Sequence, residues 1–234
     1  MSGRQSSSST SDVVVLKIGG SILYGEYGPR PEALELYAQV AEEASKHVKL
    51  IIVVGGGKLA RDLISIARDI SLPKSIQDYI GSLTARMTAL MLAWKIKNAQ
   101  KRIPNHFEDL IRSDPGKILV LGGLQPGQST DAVAALLAET FAAKRLVIAS
   151  DIDGVYDRDP KKHEKASRLE RISYEDLFNI ISRLEHEPGA YRLIDVIALR
   201  IAARSKIPIV FVNGRDKDLL LRAIIEGVGG TIVE

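Results

Sequence analysis

The sequence predicts an α/β fold, a three-layer αβα sandwich around a central and mainly parallel sheet. Short apolar runs of strand length alternate with longer amphipathic runs along the chain, which is typical of repeated βαβ units and of a parallel sheet. Three of the first four apolar runs end in glycines that precede a helical segment by a few residues. Glycine at that place permits the tight β–α turns that such a fold requires.

Each element is predicted from the period of its apolar residues. Apolar runs place strands at residues 13–18, 50–54, 118–121, 146–149, 209–212 and 231–233. Apolar residues three and four apart place helices at residues 31–44, 58–70, 75–98, 130–143, 174–184, 195–205 and 216–226. We expect the helix at 75–98 to be interrupted or kinked near Gly81. We expect residues 150–170, which are charged and rich in turn residues, to form a functional loop.

The composition indicates one globular domain that suits anionic ligands. Of the 234 residues, 45% are hydrophobic and 26% are charged, which is enough for one large α/β domain or for two closely packed lobes. We expect the polar, serine-rich residues 1–11 to be a disordered tail and residues 12–234 to be that domain. A formal charge of +3 suits nucleotides, whereas the mixing of basic with acidic residues argues against a nucleic-acid partner.

Several kinds of site and location are excluded by what the sequence lacks. There is no cysteine, which excludes disulfides and thiolate metal sites. The four histidines are far apart in the sequence, so we expect no metal site built by the protein. No apolar run reaches the ~18 residues of a membrane span, and the polar start lacks the apolar core of a signal peptide. We therefore expect a cytoplasmic protein with no membrane partner.

Glycine clusters at the strand ends are the main functional signal, and they lie at residues 19–20, 55–57 and 122–123. Glycine lets the backbone approach a ligand closely, and the helix that follows offers unpaired N–H groups to an anion. One cluster alone is equally well explained by a tight turn, but three together favour a cradle for phosphates. The P-loop pattern is absent, because Leu59 follows Lys58 where that pattern needs serine or threonine. A dinucleotide site is disfavoured, because no second strand ending in an acid follows at the required distance.

Four charged side chains accompany these clusters. Lys17 near the end of an apolar strand is costly to bury without an anion, so it is either a clamp for a transferred phosphoryl group or an edge lysine that reaches solvent. Arg61 either binds phosphate oxygens or is solvated. Asp131 in a first helical turn either caps the helix or positions magnesium or lysines. Asp78, just before Gly81, either accepts hydrogen bonds from sugar hydroxyls or is solvated.

Six sequence blocks carry a resemblance to a known family. LKIGGS at 16–21, VVGGG at 53–57, and DIDGVY at 151–156 followed by Asp159 and Pro160 resemble the amino-acid-kinase superfamily. GGGKLAR at 55–61, DYIG at 78–81 with Arg86, and GGLQPGQSTDA at 122–132 resemble its archaeal UMP kinases. The similarity extends from about residue 13 to residue 234. It implies transfer of the γ-phosphoryl group of ATP to UMP, which gives UDP and ADP in pyrimidine nucleotide biosynthesis.

The resemblance also implies roles for single residues. Lys17 would stabilise the transferred phosphoryl group, and Asp131 would be the second catalytic residue. UMP would be bound by Gly56, Asp78, Leu124, Gln125, Pro126, Gly127, Gln128, Ser129 and Thr130. ATP would be bound by Gly20, Ser21, Gly57, Arg61, Ser150, Asp151, Tyr156 and Asp159. Asp151 departs from the family pattern, since relatives usually carry asparagine or lysine there.

The same resemblance implies Mg²⁺ bound with ATP, a homohexamer built of dimers, an acceptor lobe over about 12–140 and an ATP lobe over about 141–234. Two alternatives share the fold. An isopentenyl phosphate kinase typically has a histidine near the second glycine loop, but none occurs between His47 and His106. A storage protein for oxometalates or nucleotides would not need the charged side chains named above in combination.

Overall fold

The computed structural model of the chain describes residues 12–114, 116–158, 160, 163, 165–184 and 193–234. The predicted tail at residues 1–11 lies outside the described residues. The strands are β1 (Val13–Ile18), β2 (Lys49–Val54), β3 (Leu119–Leu121), β4 (Arg145–Ser150), β5 (Val155–Tyr156), β6 (Arg168–Leu169), β7 (Arg171–Ile172), β8 (Ile209–Asn213) and β9 (Thr231–Val233). The helices are α1 (Gly20–Leu23), α2 (Pro31–Ala44), α3 (Gly57–Asp69), α4 (Lys74–Lys95), α5 (Phe107–Ile111), α6 (Thr130–Thr140), α7 (Tyr174–Leu184), α8 (Val196–Arg204) and α9 (Lys217–Ile225).

One sheet organises the described part of the chain. Its strand order is β3-β2-β1-β4-β8-β9-β7, and β5 pairs with β6 in a separate antiparallel hairpin. The first five strands of that order run parallel, β9 is antiparallel to β8, and β7 is parallel to β9. The predicted α/β class with a mainly parallel sheet is therefore confirmed.

Alternate residues of β1 face two separate hydrophobic cores, as the period of a strand requires. Leu16 and Ile18 belong to the core formed with α2, α4 and α9. Val15 belongs to the core formed with α6, α7 and α8 on the other face. A sheet that is buried on both faces explains why its strands read as continuous apolar runs. The two cores make the three-layer sandwich that the sequence predicts.

The carboxyl ends of β2, β1 and β4 lie side by side. Ile18 at the end of β1 is opposite Val54 of β2 and Ala149 of β4. The chain passes from β1 outward to β2 and β3, and returns to the other side of β1 as β4. The order of the strands therefore reverses between β1 and β4, which is where ligands bind in open parallel sheets.

The predicted interruption of the helix near Gly81 is wrong, because α4 is continuous from Lys74 to Lys95. Gly81 lies within it, and a Cβ there would be 3.0 Å from Cδ1 of Ile64 on α3. The glycine thus allows α3 and α4 to approach closely, and tertiary packing offsets the low helix propensity of glycine. As a result, Asp78 lies on the first turns of a helix and not in a loop.

The region between 150 and 170 contains more structure than the sequence predicts, because β5 and β6 form their hairpin there. The helix predicted to reach Ala143 ends earlier, at Thr140. Ala142 adopts a positive φ of 46°, and Ala143 N donates to Ala138 O at 2.8 Å, which closes the helix end. None of the described helices is long and apolar enough to span a membrane.

Candidate active site

Two glycine loops touch each other at the carboxyl edge of the sheet. A Cβ on Gly20 would lie 2.4 Å from Cα of Gly57, and a Cβ on Gly55 would lie 3.2 Å from the nitrogen of Gly20. Gly57 also has a positive φ of 60°, a conformation that glycine adopts without strain. A side chain on Gly20 would clash with the backbone of Gly57, and one on Gly57 would clash with the ring of Tyr24, so close approach requires both glycines.

The first turn of α3 is open to an anion. Gly56 is its N-cap residue and supplies no side-chain cap, so the N–H groups of the first turn have no side-chain acceptor there. The positive end of the helix dipole points the same way. A Cβ on Gly55 would be 3.6 Å from Oγ1 of Thr130, the first residue of α6. The helix starts α3 and α6 therefore border the same glycines.

An ion pair lies at the centre of this edge. Nζ of Lys17 is 2.6 Å from Oδ1 of Asp131, and the two side chains keep only 13% and 18% of their surface exposed. Lys17 comes from β1 and Asp131 from the first turn of α6. The pair lets a strand bury a cation, and it sets the ammonium group beside the helix start that borders the glycines.

The side chains around this pair differ in the hydrogen bonds that they form. Arg61 is exposed on α3, and its side chain makes no hydrogen bond or ion pair with the described part of the chain. The hydroxyl of Ser21 donates to Oδ1 of Asp151 at 3.3 Å, which connects the loop after β1 with the loop after β4. Ser150 uses its hydroxyl locally, since its Oγ accepts from Ile152 N at 3.2 Å.

Asp78 and the loop at residues 124–130 meet across 49 positions of sequence. Gly127 N donates to Oδ2 of Asp78 at 3.0 Å. Arg86, two turns further along α4, donates through Nε to Gly123 O at 3.0 Å and through Nη2 to Leu124 O at 3.5 Å. Oε1 of Gln128 is buried and has no hydrogen-bond partner in the described part of the chain. The loop is therefore anchored to α4 and keeps a buried acceptor available.

Two helix caps are connected to each other at the start of α6. Oγ of Ser129 accepts from Ala132 N at 3.0 Å and caps α6. The same hydroxyl donates to Oδ2 of Asp195 at 2.5 Å, while Oδ1 of Asp195 accepts from Ile197 N and caps α8. This contact ties the loop at 124–130 to the second half of the chain.

Tyr156 lies in the hairpin strand β5 and is engaged locally. Its hydroxyl donates to Oδ1 of Asp153 at 2.9 Å, and Oδ2 of Asp153 pairs with Arg168 at 2.8 Å. The hydrogen bond to this carboxylate, together with burial, raises the pKa of the Tyr156 hydroxyl. Asp159, predicted on the ATP side, lies outside the described residues.

The structure thus brings together most of the predicted residues. Lys17, Asp131 and the glycines share one edge, and Asp78 is joined to the loop at 124–130. Sequence reasoning missed two anchors, Arg86 and Asp195. Arg86 belongs to one of the sequence blocks that resemble the family, but no role was predicted for it. Asp195 begins a predicted helix, where an acidic residue commonly acts as the N-cap. No described group of three or more His, Asp or Glu side chains is arranged to hold a metal ion.

Comparisons with known proteins agree with this geometry. The sequence model of the Amino acid kinase family matches residues 12–213. A uridylate kinase of Methanothrix thermoacetophila is 40% identical over 214 residues, which are 91% of this chain and 95% of the relative. A uridylate kinase of Hyperthermus butylicus is 39% identical over 223 residues, 94% of this chain and 97% of the relative. The crystal structure of the uridylate kinase from Archaeoglobus fulgidus matches with a TM-score of 0.83 and 36% identity, covering 94% of this chain and 99% of that one. The chain therefore belongs to the amino acid kinase family and, within it, to the archaeal-type uridylate kinases.

Proposed function

We propose that this chain is a UMP kinase, which transfers the γ-phosphoryl group of ATP to UMP and releases ADP and UDP. One observation carries the proposal: relatives that match 91% and 94% of the chain at 40% and 39% identity are uridylate kinases. An oxygen of the UMP phosphate forms the new bond to the γ-phosphorus while the bond to the leaving oxygen of ADP breaks. The acceptor phosphate is ionised at neutral pH, so the transfer needs positioning and charge neutralisation more than a base.

On the donor side, Gly20, Ser21 and Gly57 line the path of the ATP phosphates. Backbone contact between the two glycine loops supports this role, because it places two sets of N–H groups around one space. Lys17 stabilises the charge of the transferred group, and Asp131, 2.6 Å away, holds its ammonium group in place. The guanidinium of Arg61, which has no partner among the described residues, adds a bidentate donor for phosphate oxygens. Ser150, Asp151, Tyr156 and Asp159 serve the adenosine end.

On the acceptor side, UMP lies against Gly56 and along the loop at residues 124–130. Asp78 reads the ribose hydroxyls with the carboxylate oxygen that Gly127 leaves free. The buried Oε1 of Gln128, which has no hydrogen-bond partner among the described residues, is a further acceptor that a bound nucleotide can satisfy. This assignment makes residues 12–140 the acceptor lobe and residues 141–234 the ATP lobe.

Mg²⁺ enters with ATP as part of the substrate. In phosphoryl-transfer sites it binds through one or two carboxylates and the phosphates of the nucleotide. Asp131 and Asp151 are the carboxylates that border the glycine loops, and they fit this limited role. The ion lowers the negative charge of the phosphates, while Lys17 does the same at the transferred group.

The enzyme acts as a homo-oligomer, a hexamer of three dimers, in the cytoplasmic synthesis of pyrimidine nucleotides. Support comes from α3 and α4, whose exposed faces carry large apolar side chains at helical spacing. These are Leu63, Ile66, Ile70, Ile76, Tyr79, Leu83, Met87, Leu90, Met91 and Trp94. Sedimentation of wild type and of Met87→Asp tests the assembly, since the charged side chain should shift the larger species toward smaller ones.

The test of the reaction is a coupled assay for ADP release with MgATP. The acceptors are UMP, CMP, dUMP, isopentenyl phosphate, acetylglutamate and carbamate. We expect turnover with UMP far above that with the last three acceptors. A preference for isopentenyl phosphate would show that the chain is an isopentenyl phosphate kinase and would contradict the proposal. Binding of ATP without turnover of any acceptor would support a storage role and contradict the proposal.

The role of Lys17 is tested by Lys17→Met, a substitution that keeps a long side chain and removes the charge. We expect its kcat with UMP to fall by on the order of 10²-fold or more, because the charge acts mainly on the transition state. The KM for UMP should change little. A Lys17→Met variant with wild-type kcat would overturn the assignment of Lys17 without touching the reaction itself.

A further inference from the structure

Tyr24, which lies outside the six sequence blocks named above, connects the two glycine loops to the helix that bears Asp78. It follows α1 directly and is only 8% exposed. Its backbone N–H donates to Gly20 O at 3.1 Å. Its ring lies against the second loop, because a Cβ on Gly57 would be 2.1 Å from Cδ2 of Tyr24. One residue therefore contacts both of the glycines that touch each other.

The hydroxyl of Tyr24 reaches α4, where it forms a buried hydrogen bond with Oγ1 of Thr88. Thr88 is fully buried and its hydroxyl donates to Thr84 O at 3.2 Å. A threonine hydroxyl has a single proton, so Tyr24 must be the donor to Thr88. Burial raises the pKa of Tyr24, which keeps that proton in place. The direction of the bond is thus fixed from the loop toward the helix.

Gly57 depends on such a contact because it has no side chain of its own. Its backbone must keep a positive φ and stay in register with Gly20 across a contact that admits no extra atom. The tyrosine ring is the surface behind it, and Thr88 holds the far end of that ring. α4 also carries Asp78 and Arg86, so the same bond fixes the glycine loops relative to the acceptor side.

We propose that Tyr24, tethered by Thr88, is a positioning residue that sets the spacing of Gly20 and Gly57 for phosphoryl transfer. It touches no reacting atom and acts through the two glycines. The kinetic test of this inference rests on the proposed function, because it measures turnover of UMP. The binding of ATP phosphates at Gly20 and Gly57 can be tested without an acceptor. The positioning role follows from a side chain that lies outside the sequence blocks named above.

The variants are Tyr24→Phe, Thr88→Val and their double variant, with Thr88→Ser as the conservative replacement that keeps a hydroxyl. We expect each of the first two to lower kcat by about 10-fold, because small displacements of aligned groups cost one to two orders of magnitude in rate. The double variant should be no slower than the slower single variant, because both remove one tether. Thr88→Ser should keep most of the activity.

Tyr37→Phe is the matched control. Tyr37 is also buried, and its hydroxyl donates to the backbone oxygen of Gly214 at 2.7 Å instead of to a side chain of α4. We expect it to lose about as much stability in urea unfolding as Tyr24→Phe while its kcat stays within about twofold of wild type. Equal kinetic loss in Tyr24→Phe and Tyr37→Phe would reduce the role of Tyr24 to general stability. Wild-type kcat in folded Tyr24→Phe would refute the inference.

A binding experiment tests this inference independently of which acceptor the enzyme uses. Calorimetric titration with a non-hydrolysable ATP analogue and with AMP needs no acceptor. We expect Tyr24→Phe to bind the analogue at least about threefold more weakly and AMP with unchanged affinity, because only the analogue spans the glycine contact. If wild type turned over no UMP and this difference still appeared, the proposed function would fail and the positioning role would stand. Equal affinities of wild type and Tyr24→Phe for the analogue would reject the role directly.

Discussion

The ion pair of Lys17 with Asp131 should behave as one unit in stability, and a double-mutant cycle tests this. Removing either partner leaves a mostly buried charge without its counter-charge, which costs about 3–5 kcal/mol at fully buried sites. Because 13% and 18% of the two side chains stay exposed, we expect about 2–3 kcal/mol for Lys17→Met and for Asp131→Asn. For a chain of this size that corresponds to a fall in Tm of roughly 4–12 °C.

The double variant should be destabilised by no more than about 1 kcal/mol, because it leaves no unpaired charge. Urea unfolding of the four proteins without nucleotide measures the coupling, and Asp131→Asn can be repeated with ATP present. The ATP phosphates can replace the lost carboxylate beside Lys17, so ATP should raise the Tm of Asp131→Asn more than that of wild type. Additive losses in the double variant would show that the two charges are solvated independently, and would refute the reasoning.

Three further outcomes are expected. Asp78→Asn should raise the KM for UMP by about 10-fold with kcat nearly unchanged, because the carboxylate that accepts from Gly127 N loses its charge; an unchanged KM would remove Asp78 from the ribose site. Ala142→Gly should raise the Tm by roughly 2–4 °C, because Ala142 has a φ of 46° and a left-handed residue costs about 1 kcal/mol without glycine; a lower Tm would contradict this. Hydrogen bonds, first of all the one from Arg204, lower the pKa of Glu139 in the folded protein. The ionised Glu139 therefore stabilises the fold at pH values above its ordinary pKa, and this contribution is lost as the pH falls through the lower pKa of the folded state. Unfolding of Glu139→Gln should therefore depend less steeply on acid pH than that of wild type.

The order of strands and helices could be predicted from the sequence because burial imposes its period locally. The apolar strands and the glycines that end them are visible within windows of about ten residues. Gly81 misled the prediction, because the packing of Ile64 against it comes from another helix. The exact helix ends were hidden for a related reason: Ser71, Ala142 and Lys206 take positive φ after their helices without the glycine that usually marks such an end.

The contacts that assemble the candidate site could not be predicted, because they join residues far apart in the chain. Asp78 and Gly127 are 49 positions apart, and Ser129 and Asp195 are 66 apart. Taken alone, Asp78 is explained equally well as a solvated acid, and Ser129 and Asp195 as helix caps. Only the sheet order, which brings the carboxyl ends of β2, β1 and β4 together, makes these residues neighbours.

The same edge of the sheet presents glycine backbone beside the ion pair of Lys17 with Asp131. Phosphoryl transfer to an ionised acceptor needs fixed donors at fixed distances rather than a group that exchanges protons. Backbone N–H groups meet this need only where the chain itself is held, and glycines that crowd one another are poorly held by their own contacts. The holding must then come from neighbours: Asp131 for Lys17, Arg86 for the loop at 124–130, and Tyr24 for Gly57.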